Sequence, residues 1–256
     1  MIIDADVHIT PVKGGLNIQA EELIRRMDYS GVDKALTWLQ PAYFHNIDDG
    51  NALVYEATQK YPDRILGFGW ADPHFGIEAA KEQIKRCVEE YGFYGVKLNG
   101  AQNRFYIDSE DMALPLIEEI AKTGRILAFH IGSDAYEATH PYRLAKIAKR
   151  FPETQILCVH MGGVAFHDLS NAAIEAAQEC PNITLIGSAI RAVNILKAIK
   201  VLGAERVCFG SDTPFAMMHV ELAMYEALMK DEVTEEEKAL ILGGNIARLF
   251  KEIVSD

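Results

Sequence analysis

The sequence predicts a single (β/α)₈ barrel spanning residues 1–256, and three observations carry that prediction. Eight short apolar runs of strand length recur along the chain, stretches with helical periodicity separate them, and the 256 residues continue without a linker or a shift in composition. Strict alternation of strand and helix implies parallel strands joined by crossover helices, and eight such units in about 250 residues is barrel size. A doubly wound open sheet is the alternative topology. It is disfavoured because no glycine-rich phosphate loop follows the first strand.

The first run, "IIDADVH" (2–8), is unusual for a strand because Asp4, Asp6 and His8 interrupt it at every second position. Regular alternation puts those three on one face and Ile3, Ala5, Val7 and Ile9 on the other. The later runs are "KALTWL" (34–39), "RILGFGWA" (64–71), "YGVKLN" (94–99), "ILAFHIG" (126–132), "QILCVHMG" (155–162), "ITLIGSA" (183–189) and "RVCFGSD" (206–212). Between them, "EELIRRMDYSG", "GIEAAKEQIKRCVEEYG", "MALPLIEEIAKTG", "RLAKIAKRFP" and "NAAIEAAQECP" show helical spacing and end in the Gly or Pro that stops a helix. The tail "EEEKALILGGNIARLF" reads as a closing helix interrupted near Gly243 and Gly244.

Composition excludes several classes of function. A net charge of -12 with no basic cluster argues against nucleic acid and anionic membrane as partners, leaving a small-molecule substrate. Cys87, Cys158, Cys180 and Cys208 are widely spaced without a CxxC pattern, as in a reduced, cytoplasmic protein. No stretch approaches the ~18 apolar residues of a membrane span, and no signal segment opens the chain.

In such a barrel the functional groups lie at the C-terminal ends of the strands. Those ends carry Asp6 with His8, then Gln40, Asp72 with His74, Lys97, His130, His160, Ser188 and Asp212. Imidazoles and carboxylates converging on one mouth are the donor set of Zn²⁺, Mn²⁺ or Fe²⁺. An Asp-x-His pair on the first strand, a third ligand from the fifth and a carboxylate from the eighth would complete a cage. One histidine is then left to move protons.

The order "IIDADVH", "GVKLNG", "LAFHIGS", "CVHMGG", "FGSDTPF" and "ILGGNIARLF" resembles the amidohydrolase-related family of the amidohydrolase superfamily, in the branch of aminocarboxymuconate semialdehyde decarboxylase and related aromatic-acid decarboxylases. The resemblance covers the whole chain. It implies that His8, His130 and Asp212 are metal ligands, that His160 is the acid/base beside the metal-bound water, and that Ser211 and Asn245 are structural. The family usually begins His-x-His. Here Asp6 stands in the first position, where a carboxylate ligand would lower the Lewis acidity of the ion and favour a harder metal such as Mn²⁺. Asp6 serves either as the fourth ligand or as a residue behind the ligands, and Asp4, two residues deeper, orients its neighbours.

Lys97 admits three roles: a carboxylated bridge between two metals, as in binuclear members of the superfamily, a cation that attracts a substrate carboxylate, or a rim lysine with its head in solvent. The loop "NGAQNRFYIDSED" adds Asn99, Gln102, Arg104, Phe105 and Tyr106, with Arg104 and Tyr106 as candidate substrate contacts. His45, His74, His140, His167 and His219 fall in loops or helix starts and read as surface histidines. The short connection from Thr10 to about Gln19 leaves little room for a lid, so the pocket would be either shallow or completed by a homodimer partner. The expected protein is a hydrolase or decarboxylase of a small carboxylated, aromatic or non-aromatic molecule. It would use one divalent ion, zinc first, with Asp212 sharing proton transfer with His160. A catalytically inactive metal-binding or scaffold member of the family is the alternative.

Overall fold

A computed structural model describes residues 1–40, 47–164 and 168–254, so His45 and His167 lie outside the described residues. Nine parallel strand segments form eight staves of a barrel: β1 (Ile3–Ile9), β2 (Lys34–Leu39), β3 (Ile65–Gly67), β4 (Gly69–Trp70), β5 (Gly95–Leu98), β6 (Ile126–His130), β7 (Ile156–Val159), β8 (Ile183–Gly187) and β9 (Val207–Phe209). The third stave is broken at Phe68, so β3 pairs with β2 while β4 pairs with β5. The Phe68 N–H donates to the Thr37 carbonyl across the break. Closure comes from a parallel bridge between Val7 and Thr213, where the His8 N–H donates to the Thr213 carbonyl at 2.8 Å.

Two apolar layers follow from strand alternation. Inside the barrel, Ile3, Ala5, Trp38, Phe68, Ala128 and Val159 pack in one cluster with Ile246, Leu249 and Phe250 of the closing helix (Asn245–Val254). That helix plugs the N-terminal end, where Phe250 stacks on Tyr94 with ring centroids 4.2 Å apart. A larger cluster fills the space between the staves and the surrounding helices, and Val7, Ile9, Val96, Leu98, Phe129 and Phe209 belong to it. Functional side chains therefore have only the C-terminal mouth left to occupy. The closing segment breaks where expected: Leu240–Gly244 is a wider turn with a non-helical Gly243 between Glu235–Ala239 and the plug helix.

One expectation about β1 fails. Asp4 pairs with Ala35 and Val7 with Thr37, so three steps along β1 oppose two along β2. This bulge reverses the alternation between Ala5 and Val7. Ile3 and Ala5 consequently face the barrel interior while Val7 and Ile9 face the helices. Asp6 and His8 share the interior face, and Asp4 is turned outward, away from them.

Candidate active site

The bulge brings His8 to the wall of a cavity of about 520 Å³ at the C-terminal mouth, lined among others by His8, Lys97, His130, His160 and Asp212, and sets fully buried Asp6 directly behind that wall. His8 Nε2 lies 3.5 Å from Asp6 Oδ1 and 3.5 Å from Asp212 Oδ1. Ligand atoms held at roughly 2.0–2.2 Å around a tetrahedral ion stand about 3.4 Å from one another, so these separations fit a metal shell. Asp6 Oδ1 is fully buried without a hydrogen-bond partner, an arrangement that costs free energy unless a cation occupies the space before it. The donor set and this orphaned oxygen both fit a divalent ion.

His8 is oriented from behind. Its Nδ1 lies 2.9 Å from the Leu39 carbonyl, which can only accept, so Nδ1 carries the proton and Nε2 the lone pair. The Trp38 indole N–H points at Nε2 from 3.1 Å, and a metal would compete with it for that lone pair. His130, the last residue of β6, places Nε2 2.9 Å from Asp134 Oδ1. A carboxylate behind one ring nitrogen leaves Nδ1 as the ligating atom, the usual arrangement for a metal-bound histidine. Gly132 is needed here, because a Cβ at that position would lie 2.4 Å from Asp134 Oδ1 and 2.9 Å from His130 Nε2.

His160 and Asp212 reach the mouth by a different route. Strand β7 ends on inward-facing Val159, so simple alternation would turn His160 outward. Instead His160 adopts a left-handed backbone (φ 69°), as does Asp212 (φ 58°), and both side chains line the cavity. Such conformations cost non-glycine residues free energy, and they concentrate at functional sites. The rings of His130 and His160 meet edge to face with centroids 4.7 Å apart. Donor atoms of Asp6, His160 and Asp212 lie within 4.8 Å of one another, a grouping that takes in His160 and neither His8 nor His130. Geometry alone thus offers two imidazoles for the fourth ligand position.

Charge in the site is controlled by burial. Burial opposes ionisation of Asp6, but His160, Lys97 and His8, all cationic at the low pH where this carboxyl would take up its proton, hold it well below the usual carboxylate range. Burial pushes His160 down to about 4 against the attraction of Asp6 and Asp212. The pair therefore consists of a carboxylate and a neutral imidazole near pH 7. Lys97, 1% exposed, has its ammonium 3.8 Å from the Trp38 ring centroid and 5.4 Å from that of Trp70. Burial lowers its pKa to about 8, with Asp6 and Asp212 opposing. Asp4, turned outward, accepts hydrogen bonds from the Ser211 and Asp6 N–H groups, and burial raises it to about 7.

Other sequence candidates take lesser places. Arg104 and Tyr106 do not line this cavity; they line a shallower one beside Tyr136 and Glu137, and the Tyr106 ring packs against the Arg143 guanidinium at 4.6 Å. The cause is the turn after β5, in which Asn99 and Gln102 face the mouth while the chain beyond them runs outward. Asp72 caps the turn that carries His74 and accepts a hydrogen bond from Asn103. His140 caps the helix Pro141–Arg150, and exposed His219 packs edge-on to Tyr29. Asn245 is structural as expected, donating to the Ala204 and Val207 carbonyls. Sequence reasoning missed Asp134, which lies beyond its strand, and Phe215, which packs edge-on to His8 at the rim. The Thr10–Gln19 connection, expected to leave little room for a lid, supplies Thr10, Val12 and Asn17 to the cavity wall.

Comparison with known proteins places this arrangement. The amidohydrolase family model Amidohydro_2 matches residues 3–251. The chain belongs to the amidohydrolase family. A gamma-resorcylate decarboxylase from Polaromonas sp. strain JS666 is 27% identical over 292 residues, covering 92% of this chain and 88% of that protein. Among solved structures, a 2,6-dihydroxybenzoate decarboxylase from Rhizobium superposes with a TM-score of 0.77 at 21% identity, covering 98% of both chains. A dihydroxybenzoic acid decarboxylase from Polaromonas sp. JS666, solved with bound manganese and the inhibitor 2-nitroresorcinol, gives a TM-score of 0.75 at 23% identity, covering 98% of this chain and 96% of that one. The shared fold is the (β/α)₈ barrel. No helix among the described residues is long and apolar enough to cross a membrane.

Proposed function

We propose that this amidohydrolase-family protein is a metal-dependent decarboxylase of a hydroxylated aromatic acid. The observation that carries the reading is the pairing of a buried carboxylate and imidazole donor set with a buried lysine lining the same cavity. Asp6 through Oδ1, His8 through Nε2, Asp212 and His130 through Nδ1 are the residues that would hold one divalent ion. The carboxylate behind His130 favours it over His160 as the fourth ligand. Bound there, the ion would polarise substrate oxygens as a Lewis acid. Two anionic ligands favour manganese over zinc, in keeping with the manganese in the Polaromonas structure.

The protein's own groups account for the remaining chemistry. The Lys97 ammonium, backed by Trp38, attracts the substrate carboxylate or phenolate, while Phe215 and Val12 at the rim face the aromatic ring. His160 enters neutral and therefore acts first as a base, accepting the phenolic proton of the substrate. It then returns that proton to the ring carbon bearing the carboxylate. The carbon–carboxylate bond breaks, its electron pair restores the aromatic ring, and carbon dioxide leaves.

The test is to load the protein separately with Mn²⁺ and Zn²⁺ and assay a panel of mono- and dihydroxybenzoates for carbon dioxide release, with lactones and esters as controls. Release from a hydroxybenzoate, lost in His160→Asn, is the expected result. Turnover of lactones or esters alone would make the protein a hydrolase. Metal binding with no turnover of either class would favour the inactive scaffold.

A further inference from the structure

Ser188 follows β8 at the barrel mouth and is completely buried, with 0% exposure. Its hydroxyl makes two contacts, both with side chains of the site: Oγ lies 2.5 Å from Asp6 Oδ2 and 2.9 Å from His160 Nδ1. A serine hydroxyl has one proton to donate, and a carboxylate oxygen can only accept. The proton therefore goes to Asp6, and Oγ must accept from His160. It follows that His160 carries its proton on Nδ1 and keeps Nε2 as its one basic nitrogen.

The same hydroxyl decides how Asp6 sits. With Oδ2 held by Ser188, Oδ1 is the oxygen left facing His8, and it is the oxygen without a hydrogen-bond partner. The backbone makes room for this linkage at Gly210, where a Cβ would lie 2.6 Å from the Ile186 side chain and 3.1 Å from the Asp6 Cβ. We infer that Ser188 is a positioning residue that sets the tautomer of His160 and, in the same bond network, presents Asp6 Oδ1 for cation binding. The Asp6 half of this inference rests on the metal-site reading; the tautomer half does not.

The experiment uses full-length protein labelled with ¹⁵N in its imidazoles, first freed of metal and then titrated with Mg²⁺ as a diamagnetic probe, with Mn²⁺ affinity measured by chelator competition. Long-range ¹H–¹⁵N spectra near neutral pH should show wild-type His160 protonated on Nδ1. Ser188→Ala should convert it to the Nε2–H form or to a mixture, and should weaken Mn²⁺ binding by the roughly 10–100-fold typical of lost outer-shell partners. Ser188→Thr returns the hydroxyl and should restore the tautomer. An Nε2–H tautomer in the wild type, or an unchanged Nδ1–H tautomer in Ser188→Ala, would overturn the inference. A tautomer that changes as expected in a protein with no Mn²⁺ affinity would sustain the His160 half and remove the metal-site reading with the Asp6 half.

Discussion

Replacing Lys97 with methionine should stabilise the metal-free protein below pH 8, even though it deletes a cation from the site. Lys97 is buried, and burial sets its folded pKa at about 8 against an ordinary value of 10.5. Between these two values the unfolded chain binds the proton and the folded chain does not, so wild-type stability rises with pH across that window. Below pH 8 both states are protonated, and the folded state bears the full cost of a desolvated ammonium. The difference of about 2.5 pKa units, at 1.36 kcal/mol each, corresponds to about 3 kcal/mol. Methionine is similar in length, carries no charge, and can fill the space between Trp38 and Trp70. Urea unfolding of both proteins at intervals from pH 6 to 10.5, with chelator present, should show Lys97→Met ahead by about 3 kcal/mol at pH 6–7.5 and the gap shrinking toward zero near pH 10.5. A gap that does not vary with pH would refute burial as the origin of the shift. A less stable variant would show that the cation–π contact outweighs desolvation. In the loaded enzyme the same substitution should raise KM for a hydroxybenzoate, whose carboxylate loses its counter-charge.

The remaining predictions concern the metal and the proton. Asp6→Ala should reduce Mn²⁺ affinity in chelator competition by more than the roughly 10–100-fold typical of outer-shell changes, whereas Asp6→His should still bind an ion and shift preference toward Zn²⁺; unchanged affinity in Asp6→Ala would place the residue behind the ligands. His130→Ala should empty the site by metal analysis. His160→Asn should keep the ion and lose about 10²- to 10⁴-fold in kcat, the usual contribution of general acid–base catalysis. Loss of metal in His160→Asn with retention in His130→Ala would exchange the two roles, as the closer grouping of His160 with Asp6 and Asp212 allows.

The barrel was legible in the chain because its signal is local and repeated. Each apolar run and each helical stretch states its own type, and alternation leaves few topologies for the whole. Strand-end chemistry was legible for the same reason: His130 closes β6 and Lys97 lies within β5, where a period of two reads correctly. The period misreads β1. Asp4, Asp6 and His8 look equivalent by spacing, yet the bulge between Asp4 and Val7 turns the first outward and the other two into the mouth. A bulge arises from pairing with β2 across some thirty residues of sequence, and nothing in "IIDADVH" announces it. His160 and Asp212 were placed at the mouth from their strand-end positions, but the left-handed backbone that brings them there is set by the turns around them. Arg104 and Tyr106 were drawn into the site by loop proximity and face another cavity, because the direction of a loop depends on what it packs against. Residue chemistry along the chain thus determined the fold class and the kind of site. Which carboxylate of β1 turns toward the site, which nitrogen of His8 and of His160 is free, and which side chains Ser188 satisfies were decided by long-range pairing, since hydrogen-bond partners far apart in sequence meet only when the barrel closes.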